Sequence, residues 1–210
     1  MQTRLEVIAS LVDAGSRLID IGSDHAMLPL LLLERRIVER IGVSDIAEGP
    51  LNNAKRTLAG KNADFYLADG LPSTGEFDSA VIAGMGGHTI IDILRKDRVR
   101  FQQMRYLILQ PMQHLMQLRE YLLENGYRLI KERLTHEDHF YVILKVSAGE
   151  DTPYDLLLGR DFSEDASLYR EYLHHHKRRI CSFYSGLSGE KKEKMRDLLT
   201  RIEDRLQDMV

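Results

Sequence analysis

The chain has 210 residues, enough for one α/β domain and a smaller appendage. Hydrophobic residues make up 43% and charged residues 29% of it, which predicts a folded protein and argues against disorder over most of the length. The formal net charge is −3, so the whole-chain excess of positive charge that marks many nucleic-acid-binding proteins is absent. The single cysteine, Cys181, excludes an internal disulfide. The N-terminal residues carry no long apolar run, so we expect a cytoplasmic protein without a membrane segment.

Helical and strand patterns alternate along the first 125 residues, which is typical of strand–helix–strand units with parallel strands. In chain order, the predicted elements are a helix over residues 5–12, a strand over 17–22, a helix over 28–36, a strand over 40–45, a helix between 50 and 60, a strand and turn over 63–70, a strand over 77–83, a helix over 88–96, a strand over 106–109 that is broken by Gln110-Pro111, and a helix over 115–124.

The remaining residues predict a sheet edge and then a purely helical tail. Two strands, over residues 128–135 and 140–146, have no helix between them and therefore predict an antiparallel pair. The predicted fold class is α/β, with a seven-stranded, largely parallel sheet whose last strand is antiparallel. The composition changes near Gly149, which places a domain boundary between residues 1–149 and 150–210. Two helices, over 163–184 and 190–209, predict a C-terminal helical hairpin.

The turn after the first strand has the sequence Asp20-Ile-Gly-Ser-Asp-His-Ala26. Its place between a strand and a helix is typical of a nucleotide-binding turn, but only Gly22 of the G-x-G-x-x-G fingerprint is present. Asp24 stands where a second glycine is expected. An acid there favours a ligand with a cationic part over a pyrophosphate, which needs bare amides and a helix dipole. The plain alternative is a strand-to-helix turn with a surface acid and a structural His25.

Three more candidate sites follow later strands. Asp45, with Ile46 after it, ends the second strand at about the interval expected for a carboxylate that binds ribose hydroxyls. Asp69-Gly70 follows the third strand, where the carboxylate can accept a hydrogen bond from an adenine amino group, although an ordinary turn is the alternative. Ala83-Gly84-Met85-Gly86-Gly87 follows the fourth, and its glycines favour close backbone approach to a flat ligand. Ligands of open α/β sheets bind at these carboxyl ends of neighbouring strands.

Three blocks of the sequence resemble the bacterial tRNA (adenine(22)-N(1))-methyltransferase family, whose members have the Rossmann-like fold of the class I S-adenosylmethionine-dependent methyltransferases. They are Asp20-Ile-Gly-Ser-Asp-His-Ala26 with Leu28-Pro29, Ala83-Gly-Met-Gly-Gly87 and Leu107-Ile-Leu-Gln-Pro111. The resemblance runs in order from about Arg4 to Gly149, and the helical tail matches in kind. One departure is that Met112 stands where the family commonly has asparagine after Gln-Pro, so Gln110 or Gln113 is expected to take over the role of that asparagine in holding the target base.

The resemblance implies methyl transfer from the cofactor S-adenosyl-L-methionine to N1 of adenine 22 in the D-arm region of tRNA. It implies catalytic roles for Asp24, Met85 and Gln110, where Asp24 either orients an amino group or takes a proton. It implies a cofactor site formed by Arg4, Gly22, Ser23, Asp24, His25, Asp45, Ile46, Asp69, Gly70, Ala83, Gly84, Met85 and Gly86. The helical hairpin is then expected to hold the body of the tRNA.

Other features are less specific. Adjacent histidines on a helix point in different directions, so His174-His175-His176 does not predict a metal site, and no metal is expected. With Lys177-Arg178-Arg179 these histidines form either a phosphate-facing patch or a solvated face. A second basic cluster comprises Arg95, Lys96, Arg98, Arg100 and Arg105; it either positions RNA phosphates at the mouth of the site or is ordinary surface charge. Two other functions stay open, a non-catalytic RNA- or protein-binding module on this fold and a nicotinamide-dependent oxidoreductase.

Overall fold

Strands and helices alternate through most of the chain in the computed structural model, which describes residues 2–23, 25–160 and 162–209. The strands are β1 (Leu18–Ile21), β2 (Ile41–Asp45), β3 (Ala63–Leu67), β4 (Ser79–Gly86), β5 (Tyr106–Gln113), β6 (Tyr127–His136) and β7 (Phe140–Ala148). The helices are α1 (Arg4–Ser10), α2 (Met27–Glu34), α3 (Glu48–Thr57), α4 (Gly87–Lys96), α5 (Arg98–Gln102), α6 (Leu115–Glu124), α7 (Ala166–Tyr184) and α8 (Gly189–Gln207), with a 3-10 turn (Ser163–Asp165) before α7.

The seven strands form one sheet in the order β3-β2-β1-β4-β5-β7-β6. The pairs β1–β2, β1–β4, β2–β3 and β4–β5 are parallel, whereas β7 is antiparallel to both β5 and β6. The predicted α/β fold with one antiparallel last strand is confirmed. Because every strand except β7 runs in the same direction, six carboxyl ends lie at one edge of the sheet.

Strands β4 and β5 are longer than the sequence predicted. Strand β4 continues through the glycine motif to Gly86, and β5 continues past Pro111 to Gln113, so the prediction that Gln110-Pro111 breaks this strand is wrong. Strand β5 pairs with β7 only through residues 107–109, and its pairing with β4 shifts register at Met85 opposite Pro111. Proline is tolerated at such a bulge beside an unpaired strand segment because its missing N–H is not needed there. The short helix α5 was not predicted; its buried Phe101 anchors it.

Alternate side chains of the central strands enter two hydrophobic clusters on opposite faces of the sheet. Ile19 and Ile21 of β1 belong to the larger cluster, which includes α4 and α6, whereas Leu18 belongs to the cluster under α1 and α2. The larger cluster continues into Tyr172 of α7 and Ile202 of α8. The domain boundary at residue 149 stays a prediction.

Helices α7 and α8 form the predicted antiparallel hairpin. The Arg170 guanidinium, near the start of α7, donates to the carbonyl of Met209 at the end of α8. Midway along the pair, Lys177 forms an ion pair with Glu203. Within residues 2–23, 25–160 and 162–209, no helix has the length and apolar character that crossing a membrane requires.

A buried ion pair between α6 and β6 holds the segment that leads from the sheet to the helical tail. Arg119 Nη2 of α6 lies 2.5 Å from Glu132 Oε1 of β6, and both side chains are at most 1% exposed. Arg119 Nη1 also donates to the carbonyls of Leu156 and Leu157, at 2.9 and 3.1 Å, and Glu132 Oε2 accepts from the Arg160 backbone N–H at 2.7 Å. These bonds fix the segment that leads from β7 to α7.

We expect Arg119→Met to destabilise the protein by about 3–5 kcal/mol, because it leaves the Glu132 carboxylate buried without its partner. The free energy of unfolding in urea measures this. The matched control is Arg17→Met, which removes the exposed Arg17–Glu76 pair and is expected to cost less than about 1 kcal/mol. Equal effects of the two substitutions would contradict the anchoring role.

Candidate active site

The strand register brings four of the predicted site residues into one row. Ile21 pairs with Ser44 and with Ile82, and Ile82 pairs with Leu109. The next residues along these four strands are Gly22, Asp45, Ala83 and Gln110. The parallel pairing extends beyond β1, because the Gly22 N–H donates to the Ser44 carbonyl at 2.7 Å. These four residues therefore lie side by side at the carboxyl edge, where open α/β sheets have their ligand crevice.

Two glycines of this edge have backbone conformations that other residues rarely adopt. Gly22 and Gly84 both have φ +76°. A Cβ added at Gly22 would lie 1.8 Å from Met85 Cε, so the Met85 thioether is packed against the turn. Gly84 is exposed and Gly86 precedes α4 as its N-cap residue. Gly84 thus leaves its backbone accessible, as close approach of a ligand requires, whereas Met85 occupies the space beside Gly22.

The carboxamide of Gln110 connects three segments of the edge. Gln110 is fully buried, and its Oε1 accepts from the Gly84 backbone N–H at 3.1 Å and from Arg4 Nη1 at 3.0 Å. Its Nε2 donates to the Pro111 carbonyl at 2.9 Å. Both ends of the carboxamide are thus engaged within the protein, so Gln110 acts on the backbone of Gly84 and fixes its position.

Arg4 reaches this edge from the first turn of α1. Its backbone N–H donates to Glu137 Oε1 at 2.6 Å, which fixes the start of the helix on the β6–β7 turn. Its guanidinium also contacts Met112 Sδ at 3.3 Å and lies 5.3 Å from the centre of the Tyr141 ring. Sequence reasoning missed Tyr141, because nothing in the pattern of β7 distinguishes one half-buried aromatic residue from the others.

Asp20 belongs to the turn motif of residues 20–26 but was not among the predicted site residues. Its side chain is buried between the central strands, where burial raises its pKa to about 6, and a hydrogen bond from the Ser23 side chain opposes that shift. An unpaired charge in a buried strand is costly, so an acid at this position is itself a signal of function. Ser23 lies at the same turn, partly buried.

Asp45 and Ile46 end the row on the side of β2. Asp45 is 9% exposed, and its Oδ1 accepts from the Ala47 backbone N–H at 2.9 Å, which orients the carboxylate toward the start of α3. Ile46 is 69% exposed. Leu67, the last residue of β3 and the register partner of Asp45, is also largely exposed. These two large apolar side chains, exposed at the ends of neighbouring strands, indicate a surface for a ligand.

The remaining predicted cofactor residues lie around this row. Asp69 is half-exposed and forms an ion pair with Lys96 of α4. Gly70 is buried, has φ +102°, and its carbonyl accepts from the Ser44 hydroxyl at 2.9 Å. His25 is exposed. Asp24, to which we assigned both a catalytic and a cofactor role, lies outside the described residues.

The second basic cluster is largely neutralised by neighbours. Lys96 pairs with Asp69, Arg95 lies 3.6 Å from Asp92, and Arg105 lies 3.9 Å from Asp13 at the opposite edge of the sheet. This cluster does not form one surface at the candidate site. Within the part of the chain that the structure describes, no group of three or more His, Cys, Asp or Glu residues is arranged to hold a metal ion.

Comparison with known proteins identifies relatives over most of the chain. A methyltransferase domain model matches residues 1–144. The tRNA (adenine(22)-N(1))-methyltransferase of Bacillus subtilis is 34% identical over 163 residues, which are 74% of this chain and 68% of that protein. The crystal structure of Streptococcus pneumoniae Sp1610 in complex with S-adenosyl-L-methionine aligns with a TM-score of 0.86 and 29% identity, over 98% of this chain and 99% of the other. The B. subtilis m1A22 tRNA methyltransferase structure aligns over 100% and 97%, with a TM-score of 0.73 and 26% identity.

We expect Gly22→Ala to displace the Met85 side chain from the glycine turn, because the new Cβ would overlap Met85 Cε. The alanine would also be strained, because Gly22 has a left-handed backbone conformation. Gly60→Ala is a matched control, since Gly60 has φ +75° and nothing within 4 Å of an added Cβ. Both variants should lose about 1–2 kcal/mol of unfolding free energy from the backbone term. Only Gly22→Ala should also shift the environment of the Met85 methyl group, followed by its NMR resonance. An unmoved Met85 resonance would contradict the packing.

We expect Asp20→Asn to stabilise the ligand-free protein at neutral pH. Because burial raises the folded-state pKa of Asp20 to about 6 from 3.8, its contribution to stability is full below pH 3.8 and is lost as the pH rises through 6. The asparagine variant avoids this loss, so the two proteins should diverge by up to about 3 kcal/mol between pH 4 and pH 7 in urea unfolding. The exposed Asp138→Asn variant is expected to follow the wild type. Parallel pH profiles for wild type and Asp20→Asn would contradict the burial argument.

Proposed function

The chain belongs to the tRNA (adenine(22)-N(1))-methyltransferase family, and we propose that it transfers a methyl group from S-adenosylmethionine to N1 of adenine 22 in tRNA. The observation that carries this proposal is the row of Gly22, Asp45, Ala83 and Gln110 at the carboxyl edge of the sheet. In open α/β sheets the ligand crevice lies at that edge.

The charges of the row fit a cationic cofactor. S-adenosylmethionine carries a sulfonium and an ammonium group and no phosphate. Asp45 suits the ribose of either cofactor. Asp24 and the buried Asp20 stand two residues after and two residues before Gly22, and carboxylates at that turn favour a cation over a pyrophosphate, which needs bare amides and a helix dipole. This disfavours the nicotinamide-dependent oxidoreductase.

The parts of the cofactor can be assigned to the residues around the row. We assign the ribose hydroxyls to Asp45, one face of the adenine to the exposed Ile46, and the adenine amino group to Asp69 beside Gly70. The methionine part is assigned to the glycine turn and to the segment after Ala83. The predicted contributions of Arg4, Ser23, Asp24, His25, Gly84, Met85 and Gly86 belong to this same assignment.

Catalysis by this site is mainly a matter of position. When bound, S-adenosylmethionine supplies a methyl group on a sulfonium, which is already a good leaving group. The residues of the chain need to align the N1 lone pair with that methyl group, and such alignment is worth several orders of magnitude in rate. Gln110 serves this by fixing the Gly84 backbone from below. Asp24 is the proposed group that orients the adenine amino group or accepts a proton.

Gln113 is the better replacement for the asparagine that the family commonly has at position 112. The Gln110 carboxamide is buried and engaged at both ends, whereas Gln113 is exposed at the end of β5. Met112 is directed to Arg4, whose guanidinium contacts its sulfur. We therefore propose that the Gln113 amide hydrogen-bonds the target adenine.

Access to N1 requires an exposed base. N1 lies on the Watson–Crick edge, so a paired or stacked adenine must leave its stack before it can react.

We propose that α7 and α8 bind the body of the tRNA. We also propose that the protein is RNA-binding and acts in the cytoplasm, where its substrate is found. The alternative function is a non-catalytic binding module, which Met112 favours because it replaces the asparagine that the family commonly has.

The direct test is methyl transfer from labelled S-adenosylmethionine to an unmodified bacterial tRNA transcript. The wild type should label tRNA, and should not label a transcript in which adenine 22 is replaced by guanine. Asp24→Ala should lower the rate by at least about a hundredfold, as expected for loss of a group that handles a proton or orients the reacting base, with tRNA binding retained. The exposed Asp92→Ala is the control. No label in tRNA with the wild type would contradict the proposal, and full activity of Asp24→Ala would remove that residue from it.

A further inference from the structure

A separate cleft opens beside the candidate active site, between the end of β5, the turn from β6 to β7, and α7. Its volume is about 300 Å³. Met112 and Gln113 form one wall, so the cleft begins where the row of site residues ends. Binding sites for small molecules start at about this size, which limits an occupant to a single small group such as one nucleobase.

The walls of this cleft are aromatic. The Phe140 ring lies 4.4 Å from His136, 5.4 Å from His175 and 5.4 Å from Tyr172, measured between ring centres. Tyr172 in turn lies 4.3 Å from His176. Rings from β6, β7 and α7 therefore converge on one space, and Phe140 and His175 are only half-buried.

The protein environment favours the neutral form of His175 and His176. Burial is the main cause that lowers the pKa of His176 to about 4, and burial followed by the neighbouring Arg179 and Arg178 lowers the pKa of His175. Neutral rings attract phosphate poorly but offer flat faces on which a base can stack.

One cation and one anion complete the lining. Arg179 is exposed at the cleft, and its guanidinium forms no ion pair with the residues described. Asp138 of the facing turn also lines the cleft, so the net charge of the cleft is small. This lining matches one base with one phosphate better than a run of backbone phosphates.

We propose that this cleft binds a nucleotide next to the methylated adenine, with its base stacked on Phe140 and His175 and its phosphate on Arg179. The inference rests on the proposed function. When the target adenine leaves its stack, its neighbour loses a stacking partner, and a protein ring in that place recovers part of the lost free energy. The cleft thereby determines which RNA conformation presents N1 to the catalytic edge.

Rings that served only to pack α7 on the sheet would have the same arrangement, so the test must separate RNA binding from folding. His175→Ala removes a half-buried ring, and His174→Ala on the next position of α7 is the matched control, since His174 is exposed and does not line the cleft. His175→Phe restores a flat ring without ring nitrogens. Arg179→Gln has Arg36→Gln as its control, since Arg36 is exposed just after α2 and does not line the cleft.

The measurement is the dissociation constant of unmodified tRNA in the presence of S-adenosylhomocysteine, with thermal unfolding of each variant as the check on folding. His175→Ala should weaken binding by about tenfold, the loss of one stacked base. His175→Phe and His174→Ala should stay within about twofold. Arg179→Gln should lower the slope of log affinity against log salt by about one, and Arg36→Gln should not.

Equal binding by His175→Ala and His174→Ala would overturn the inference, as would a His175→Phe variant as weak as His175→Ala. If the wild type binds tRNA but transfers no methyl group, the proposed function fails while these binding constants still judge the cleft. If the wild type binds no tRNA, both fail.

Discussion

The hydrogen bonds at the Gln110 carboxamide are the interaction on which the candidate site depends. One buried oxygen accepts from the backbone of β4 and from the first turn of α1, while the amide nitrogen is bonded within β5. A glycine such as Gly84 has no side chain with which to hold its own position, so a neighbouring residue must do so. Gln110 does this from beneath the crevice, and an unsatisfied buried carboxamide would be costly, which makes the arrangement specific.

The strand register determines which residues, and therefore which charges, lie together at the carboxyl edge of the sheet. Parallel pairing of β2, β1, β4 and β5 aligns their carboxyl ends, so residues distant in sequence become neighbours without any long loop. The edge then combines two glycines of positive φ, of which Gly84 is exposed, with buried or nearly buried acids at Asp20 and Asp45. We propose that such an edge selects its cofactor by charge, and that the aromatic cleft at the end of β5 is a second surface for RNA.

The sheet and its order of elements could be predicted because buried strands and amphipathic helices have distinct periodicities. The ends of β4 and β5 could not, because the cost of Pro111 depends on whether a neighbouring strand needs its N–H. Gly22, Asp45 and Ala83 of the row could be selected from the ends of the predicted strands, whereas Gln110 was selected only through the resemblance to the family. The contacts of Arg4 with Gln110 and Met112 join residues more than a hundred positions apart, which no local pattern reveals. Asp20 stands in a strand that the sequence predicts to be buried, so its burial could be predicted, whereas its hydrogen bond with Ser23 depends on the geometry of the turn.

Calorimetric titration of the full chain with S-adenosylmethionine, with S-adenosylhomocysteine and with NADH tests the central claim most directly. An acidic, glycine-lined crevice should bind both sulfur compounds saturably with one site per chain and should give no saturable heat with NADH. Binding of NADH together with indifference to both sulfur compounds would contradict the account.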